Sequence, residues 1–258
     1  MASYNPYGQS SQSDEKITKF FQDAIILANL EDEINFSNYD LIVVFHAGIG
    51  QDFSLPFLDP TPQDIPSTYV DNEMIKENIE GGSLVINGYE ITHGIVLPET
   101  QNHLLYEISN DMFSSASSPC EYQYGLTGTF ALMIGFAIGL PPLWNIETGK
   151  SGVGIFGLMD QGSNNGRGII PAPPTAWTRI YAGWEEPIDI SFNANIDLPS
   201  RNKNNIAKVN INDSEYFLIE NRDNSIIEDI SIDSLQYIMW KESGEDSITP
   251  FINILFDS

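Results

Sequence analysis

Three histidines, His46, His93 and His103, are the only imidazoles in the chain, and Cys120 is its only cysteine. Imidazole is a common zinc ligand, and three of them can in principle form a zinc triad, with Glu99 or Glu107 available as a general base. The spacing argues against this, because no two of the histidines stand at a ligand-like interval within one element. A single cysteine excludes an intrachain disulfide and a cysteine-based metal site, and a buried or idle thiol is the plain reading of Cys120. No Gly-x-Ser-x-Gly elbow of a serine hydrolase occurs.

A different stretch has the layout of a metal-site helix. From Phe130 to Trp144 apolar residues recur at helical spacing, and the pair Pro141-Pro142 stops the run. In zinc peptidases of this layout two histidines four residues apart put both imidazoles on one helix face. A glutamate beside the first takes a proton from the metal-bound water. Setting the Gly-Leu-Pro that ends such helices onto Gly139-Leu140-Pro141 puts the first histidine at Leu132, the glutamate at Met133, the second histidine at Phe136 and a third ligand at Pro142. Leucine, phenylalanine and proline side chains offer no lone pair to a metal, and methionine takes no proton from water near neutral pH. The ordinary zinc chemistry is therefore absent from these positions. Apolar fillers at Leu132 and Phe136 restore the packing that an emptied polar site would lose.

Downstream lies the run Ser151-Gly152-Val153-Gly154-Ile155-Phe156-Gly157-Leu158-Met159-Asp160-Gln161-Gly162-Ser163, followed by Pro171-Ala172-Pro173-Pro174-Thr175-Ala176-Trp177 and Gly183-Trp184. Near the start stands Tyr39-Asp40-Leu41-Ile42-Val43-Val44-Phe45-His46-Ala47-Gly48, and near the end Glu215-Tyr216-Phe217-Leu218-Ile219-Glu220-Asn221-Arg222. In this order the segments resemble the immune inhibitor A family of secreted bacterial zinc metallopeptidases, whose helix is followed by a methionine turn and a proline-tryptophan segment. The resemblance covers most of the chain. It implies an α+β, zincin-like (metzincin-type) fold, a mixed sheet packed on helices with Met159 in the methionine turn, followed by a partial β-rich region. Residues 1–185 then form a degenerate peptidase domain, and 186–258 a β-rich region expected to be incomplete. The resemblance also implies an extracellular or cell-surface setting and flanking domains of a longer chain. His46 matches a strand-end histidine of the zinc-bearing relatives, which implies a structural role for it.

Activity does not follow, because the zinc and base positions depart from the family pattern at all four places. The expected function is that of a pseudopeptidase, a peptide-binding or structural module without zinc. An extended peptide would lie in the former substrate cleft, between the strand near Leu84 to Ile95 and the helix ending at Gly139. The alternative is a metallopeptidase that uses His46, His93 and His103 as non-standard zinc ligands.

The formal net charge is -25, from 36 acidic against 11 basic residues. Such a surface repels phosphate backbones, which makes nucleic acid and anionic membrane poor partners. It suits high salt or the collection of divalent cations, calcium included, but no calcium-loop pattern occurs, and a solvated acidic surface is the plainer reading. With 258 residues, 41% of them hydrophobic, the chain can bury a full core. From Tyr122 through Ile146 no residue is charged, and the run exceeds the about 20 residues of a membrane span. Gly125, Gly128, Gly135, Gly139 and the proline pair fall inside it, so a core helix buried on all sides accounts for it better. Met1 to Ser13 is polar and uncharged, without the character of a signal peptide. The resembled family is exported, which implies that either a leader and propeptide lie upstream or Met1 is an internal start; a piece of a larger protein is the favoured expectation.

The elements that hold these residues follow from local pattern. Ile17, Phe20, Phe21, Ala24, Leu27 and Ala28 recur at spacings of three and four behind Asp14 and Glu15, which predicts an amphipathic helix. Leu41 to Phe45 reads as a strand buried on both faces, with His46 at its end. Pro56, Pro60, Pro62 and Pro66 make 51–70 a loop. Val70 to Glu80 predicts a short helix ended by Gly81-Gly82, and Leu84 to Ile95 a hairpin turning at Asn87-Gly88. Glu99 to Phe113 reads as a helix. Gln161 to Gly168 fits neither phosphate-loop spacing and reads as a plain turn. Trp177 to Trp184 predicts a short helix with Trp177, Ile180 and Trp184 in the core. Ala207 to Ile211 and Tyr216 to Ile219 read as a hairpin about Asn212-Asp213-Ser214, and Phe251 to Phe256 as another strand.

Overall fold

The computed structural model of the protein describes residues 13–52, 64–101, 125–166, 168–190, 194–200, 205–222, 225–227 and 230–231. Among them the chain is α+β, with four α-helices and short strands in separate small sheets. It divides into two compact units, Met1–Pro142 with Gly166–Pro171, and Leu143–Asn165 with Ala172–Ser258.

The first unit is built on a three-stranded sheet in the order β1 (Val43–Ile49), β5 (Gly94–Thr100), β2 (Thr68–Val70). β1 runs parallel to β5 and β2 antiparallel to it. Helix α1 (Ser13–Asp32) lies over one face. Its buried stripe is Ile17, Phe21 and Ile25, one residue every fourth position, while Leu27 of the predicted stripe stays 62% exposed. Apolar residues stand on more than one side of this helix, so its period fits two stripes; packing against the sheet selects one. Phe21 is the contact that decides it, since its ring occupies the space over Gly94 where any other side chain would sit.

Pairing fixes which residues share a face. Val70 stands opposite Gly94 and Thr68 opposite Val96, so these four face α1; Tyr69, opposite Ile95, faces the other way. Helix α2 (Asn72–Asn78) begins at Asp71, whose carboxylate accepts the Glu73 and Met74 amides, and it packs beside α1. The segment after it turns through Gly81 and Gly82, both at positive φ. Strands β3 (Leu84–Ile86) and β4 (Tyr89–Ile91) then form a hairpin with Asn87 and Gly88 at φ 53 and 82, the pair of positive values a two-residue turn of this hand requires. The third helix, α3 (Thr127–Ala137), packs against β5 and β2.

Several expectations are corrected here. The strand at Leu41 to Phe45 is not buried on both faces: β1 begins at Val43, lies at the edge of its sheet, and leaves Phe45 60% exposed. The buried central strand is β5, which the pattern had merged with the hairpin; the hairpin ends at Ile91 and makes a separate two-stranded sheet. His46 sits inside β1, not at its end. Thr68–Val70 is a strand although it belongs to the proline-rich loop, and Glu99 and Thr100 close β5 where a helix was expected. Gln101 follows β5 outside any helix; residues 102–113 of that predicted helix, His103 and Glu107 among them, as well as Cys120 and the predicted strand Phe251 to Phe256, lie outside the described residues. α3 is not buried on all sides. Its small residues Gly128, Thr129 and Gly135 are buried, and Leu132, Met133 and Phe136 are half-buried. Among the described residues no helix is long and apolar enough to cross a membrane.

The second unit opens with a looped segment, Leu143–Asn165, and continues into helix α4 (Ala176–Tyr181), whose first turn is capped by the Thr175 hydroxyl on the Thr178 amide at 3.1 Å. A three-stranded sheet follows in the order β6 (Ile188–Asp189), β7 (Ile206–Asn210), β8 (Tyr216–Glu220). β7 and β8 are the expected hairpin, and Asn212 closes its loop by accepting the Ser214 and Glu215 amides at 2.9 Å each. A further short pair, β9 (Ser225–Ile227) and β10 (Ile230–Ser231), is antiparallel. Trp177 and Trp184 were expected in the core and are instead exposed, because the helix buries its small residues Ala176 and Thr178.

Candidate functional site: a helix without metal ligands and a carboxylate-centred loop

α3 ends in an arrangement its sequence dictates. Gly139 takes φ +87, its amide donates to Phe136 O at 2.9 Å, and the Leu140 amide donates to Gly135 O at 2.8 Å. This pair of bonds satisfies carbonyls that the last helical turn leaves open, and Pro141 and Pro142 bar any continuation. Leu132 and Phe136 therefore stand one turn apart on one side of a well-terminated helix, with Met133 beside the first. Phe136 packs on Tyr69 of β2, ring centroids 6.2 Å apart and planes inclined by 31°. Tyr69 in turn meets the His93 ring at 6.0 Å. Burial, and then the nearby Asp71 carboxylate, push the Tyr69 hydroxyl above its usual range, so it remains a neutral phenol. The surface beside α3 is a half-buried aromatic cluster, and none of Leu132, Met133, Phe136 or Pro142 carries a donor suited to zinc. These residues do not fit a zinc ion.

This helix packs against both β5 and β2, neighbours in the sheet. Of the stretch Leu84 to Ile95 expected to line the cleft, the hairpin Leu84–Ile91 belongs to a different sheet, and only Gly94 and Ile95, the start of β5, lie in the sheet that α3 packs against.

The two histidines among the described residues, His46 and His93, lie on opposite faces of the sheet. His46 pairs in register with Pro98 and so faces α1, where Phe20 meets its ring edge-on at 6.3 Å. Both ring nitrogens lie 3.1 Å from backbone carbonyl oxygens, Ala47 at Nδ1 and Ile65 at Nε2, and neither is turned to open space. His93 rests on Tyr69, on the opposite face of the sheet, with Nδ1 3.1 Å from the Thr92 hydroxyl. Glu99 accepts the Gly48 amide at 3.2 Å. Among the described residues no three His, Cys, Asp or Glu side chains gather as metal ligands.

In the second unit, Met159 is fully buried and Asp160 nearly so. One oxygen of Asp160 accepts the Ser151 hydroxyl at 2.8 Å and the amides of Gly152, Val153 and Gly154 at 2.9, 2.8 and 2.9 Å; the other accepts the Gln161 amide at 2.8 Å. Burial alone raises the proton affinity of this acid, but the hydrogen bonds outweigh it and hold the group below the usual carboxylate range. Glycine at 152 is required, because a Cβ there would strike the Leu143 carbonyl. The run Ser151 to Asp160 is thus a loop wound about an internal anion. A second polar centre joins α4 to β8: Glu220 lies 2.8 Å from Arg179 and 2.7 Å from Arg222, and Arg179 also holds Glu185 at 3.0 Å. Burial raises the Glu220 carboxyl, and the two guanidinium groups more than reverse it. Nothing in the sequence marks Tyr69 as the partner of Phe136. The Asp160 cradle is equally silent, since four of its five donors are backbone amides.

Comparison with known protein families, curated proteins and solved structures returned no match to this chain.

Proposed function

We propose that this protein is a zincin-like peptidase domain, similar to the immune inhibitor A family, that lacks metal chemistry and serves as a peptide-binding or structural module of a larger exported protein. The observation that supports this is the α3 end: a helix stopped at Gly139-Leu140-Pro141 presents hydrocarbon at Leu132 and Phe136, and the Phe136 ring is taken up by packing on Tyr69. Neither side chain carries a lone pair with which to ligate zinc or to take a proton from water. In this reading a peptide lies beside β2, a strand that α3 packs against, and is held without being cut.

Metal analysis of the purified protein, paired with a casein-cleavage assay with and without chelator, tests the proposal. The expected result is substoichiometric zinc and no chelator-sensitive cleavage. Stoichiometric zinc lost to chelator together with activity would instead identify a metallopeptidase with non-standard ligands. A companion variant combining Leu132→His, Met133→Glu, Phe136→His and Pro142→Asp is expected to gain zinc affinity by calorimetry. Its failure to bind, with the fold intact by circular dichroism, counts against a zincin-like geometry.

A further inference from the structure

We draw no further inference here: the strongest candidate, the aromatic row Trp177, Tyr181 and Trp184 left exposed along α4 and just beyond it, is an unpartnered apolar face, and nothing in the structure shows what covers it.

Discussion

Asp160 concentrates five hydrogen bonds on one carboxylate, and an ionised carboxylate accepts such bonds more strongly than a protonated one. Its folded-state proton affinity is lowered, so the unfolded chain binds the proton more readily. The stability it supplies is fully present above the ordinary carboxylate range and is lost as the pH falls through the depressed folded value. Asp160→Asn preserves the shape but removes the charge and turns an amide donor toward other donors. The expected loss is about 2–4 kcal/mol near pH 7, in line with breaking several bonds to a charged group. Urea unfolding of both proteins near pH 7 and again near pH 3 checks this: the gap narrows in acid, and an equal gap at both would remove the charge from the explanation. The sequence displays Met159-Asp160 openly, yet it hides what the carboxylate does. Backbone amides are common to every residue type except proline, so a cradle built from them leaves only its glycines as a trace.

Two glycines separate what an element's end requires from what its packing requires. Gly139 stands at φ +87 with nothing near the place a Cβ would occupy, so Gly139→Ala meets only backbone strain, about 1 kcal/mol. Gly94 opens β5 beneath the Phe21 ring, and a Cβ there would overlap ring carbons and come within 2.9 Å of Ile42 O. Gly94→Ala is expected to cost roughly 3 kcal/mol as overpacking, and Phe21→Leu in the same chain to recover part of it. If Gly94→Ala costs no more than Gly139→Ala in thermal unfolding, α1 is not seated on β5 as described. The stop after α2 and the Asn87-Gly88 turn were legible because each rests on local chemistry: paired glycines, and two residues tolerant of positive φ; the start was not, since the helix was expected from Val70, which pairs in β2, and begins instead behind the Asp71 cap. β5 was not legible as one strand: Gly94 and Ile95 fell in the expected hairpin, and Glu99 and Thr100 in the expected helix. The structure accommodates Pro98 where the β2 pairing has already ended, at residues 94–96, so the proline withholds no bond from that side. The buried stripe of α1 and the exposure of Phe45 were hidden for a related reason. Which apolar residues face inward is settled by partners distant in sequence.

At the scale of the molecule the excess of 36 acidic over 11 basic residues dominates the electrostatics. Basic groups are too few to pair most of the carboxylates, and two of them, Arg179 and Arg222, are committed to the Glu220 centre. The α+β class was expected from a family resemblance and not from composition, whereas the balance of surface forces follows from charge count alone. Unpaired like charges repel within the compact state, and the repulsion extends over a Debye length, about 30 Å at 0.01 M salt and about 10 Å at 0.1 M. Salt therefore acts in two directions here: it screens the many repulsions and weakens the few ion pairs. The pairs at Glu220 are partly buried and in direct contact, so they are screened less than the exposed carboxylates are. The net expectation is stabilisation: raising sodium chloride from about 0.01 M to about 0.5 M raises the thermal midpoint, by about 2–4 °C for each kcal/mol of repulsion relieved. Sodium chloride is the right probe because a divalent salt would mix screening with site binding. A midpoint that stays flat or falls with salt would show that attraction among the paired groups outweighs the repulsion of the unpaired ones.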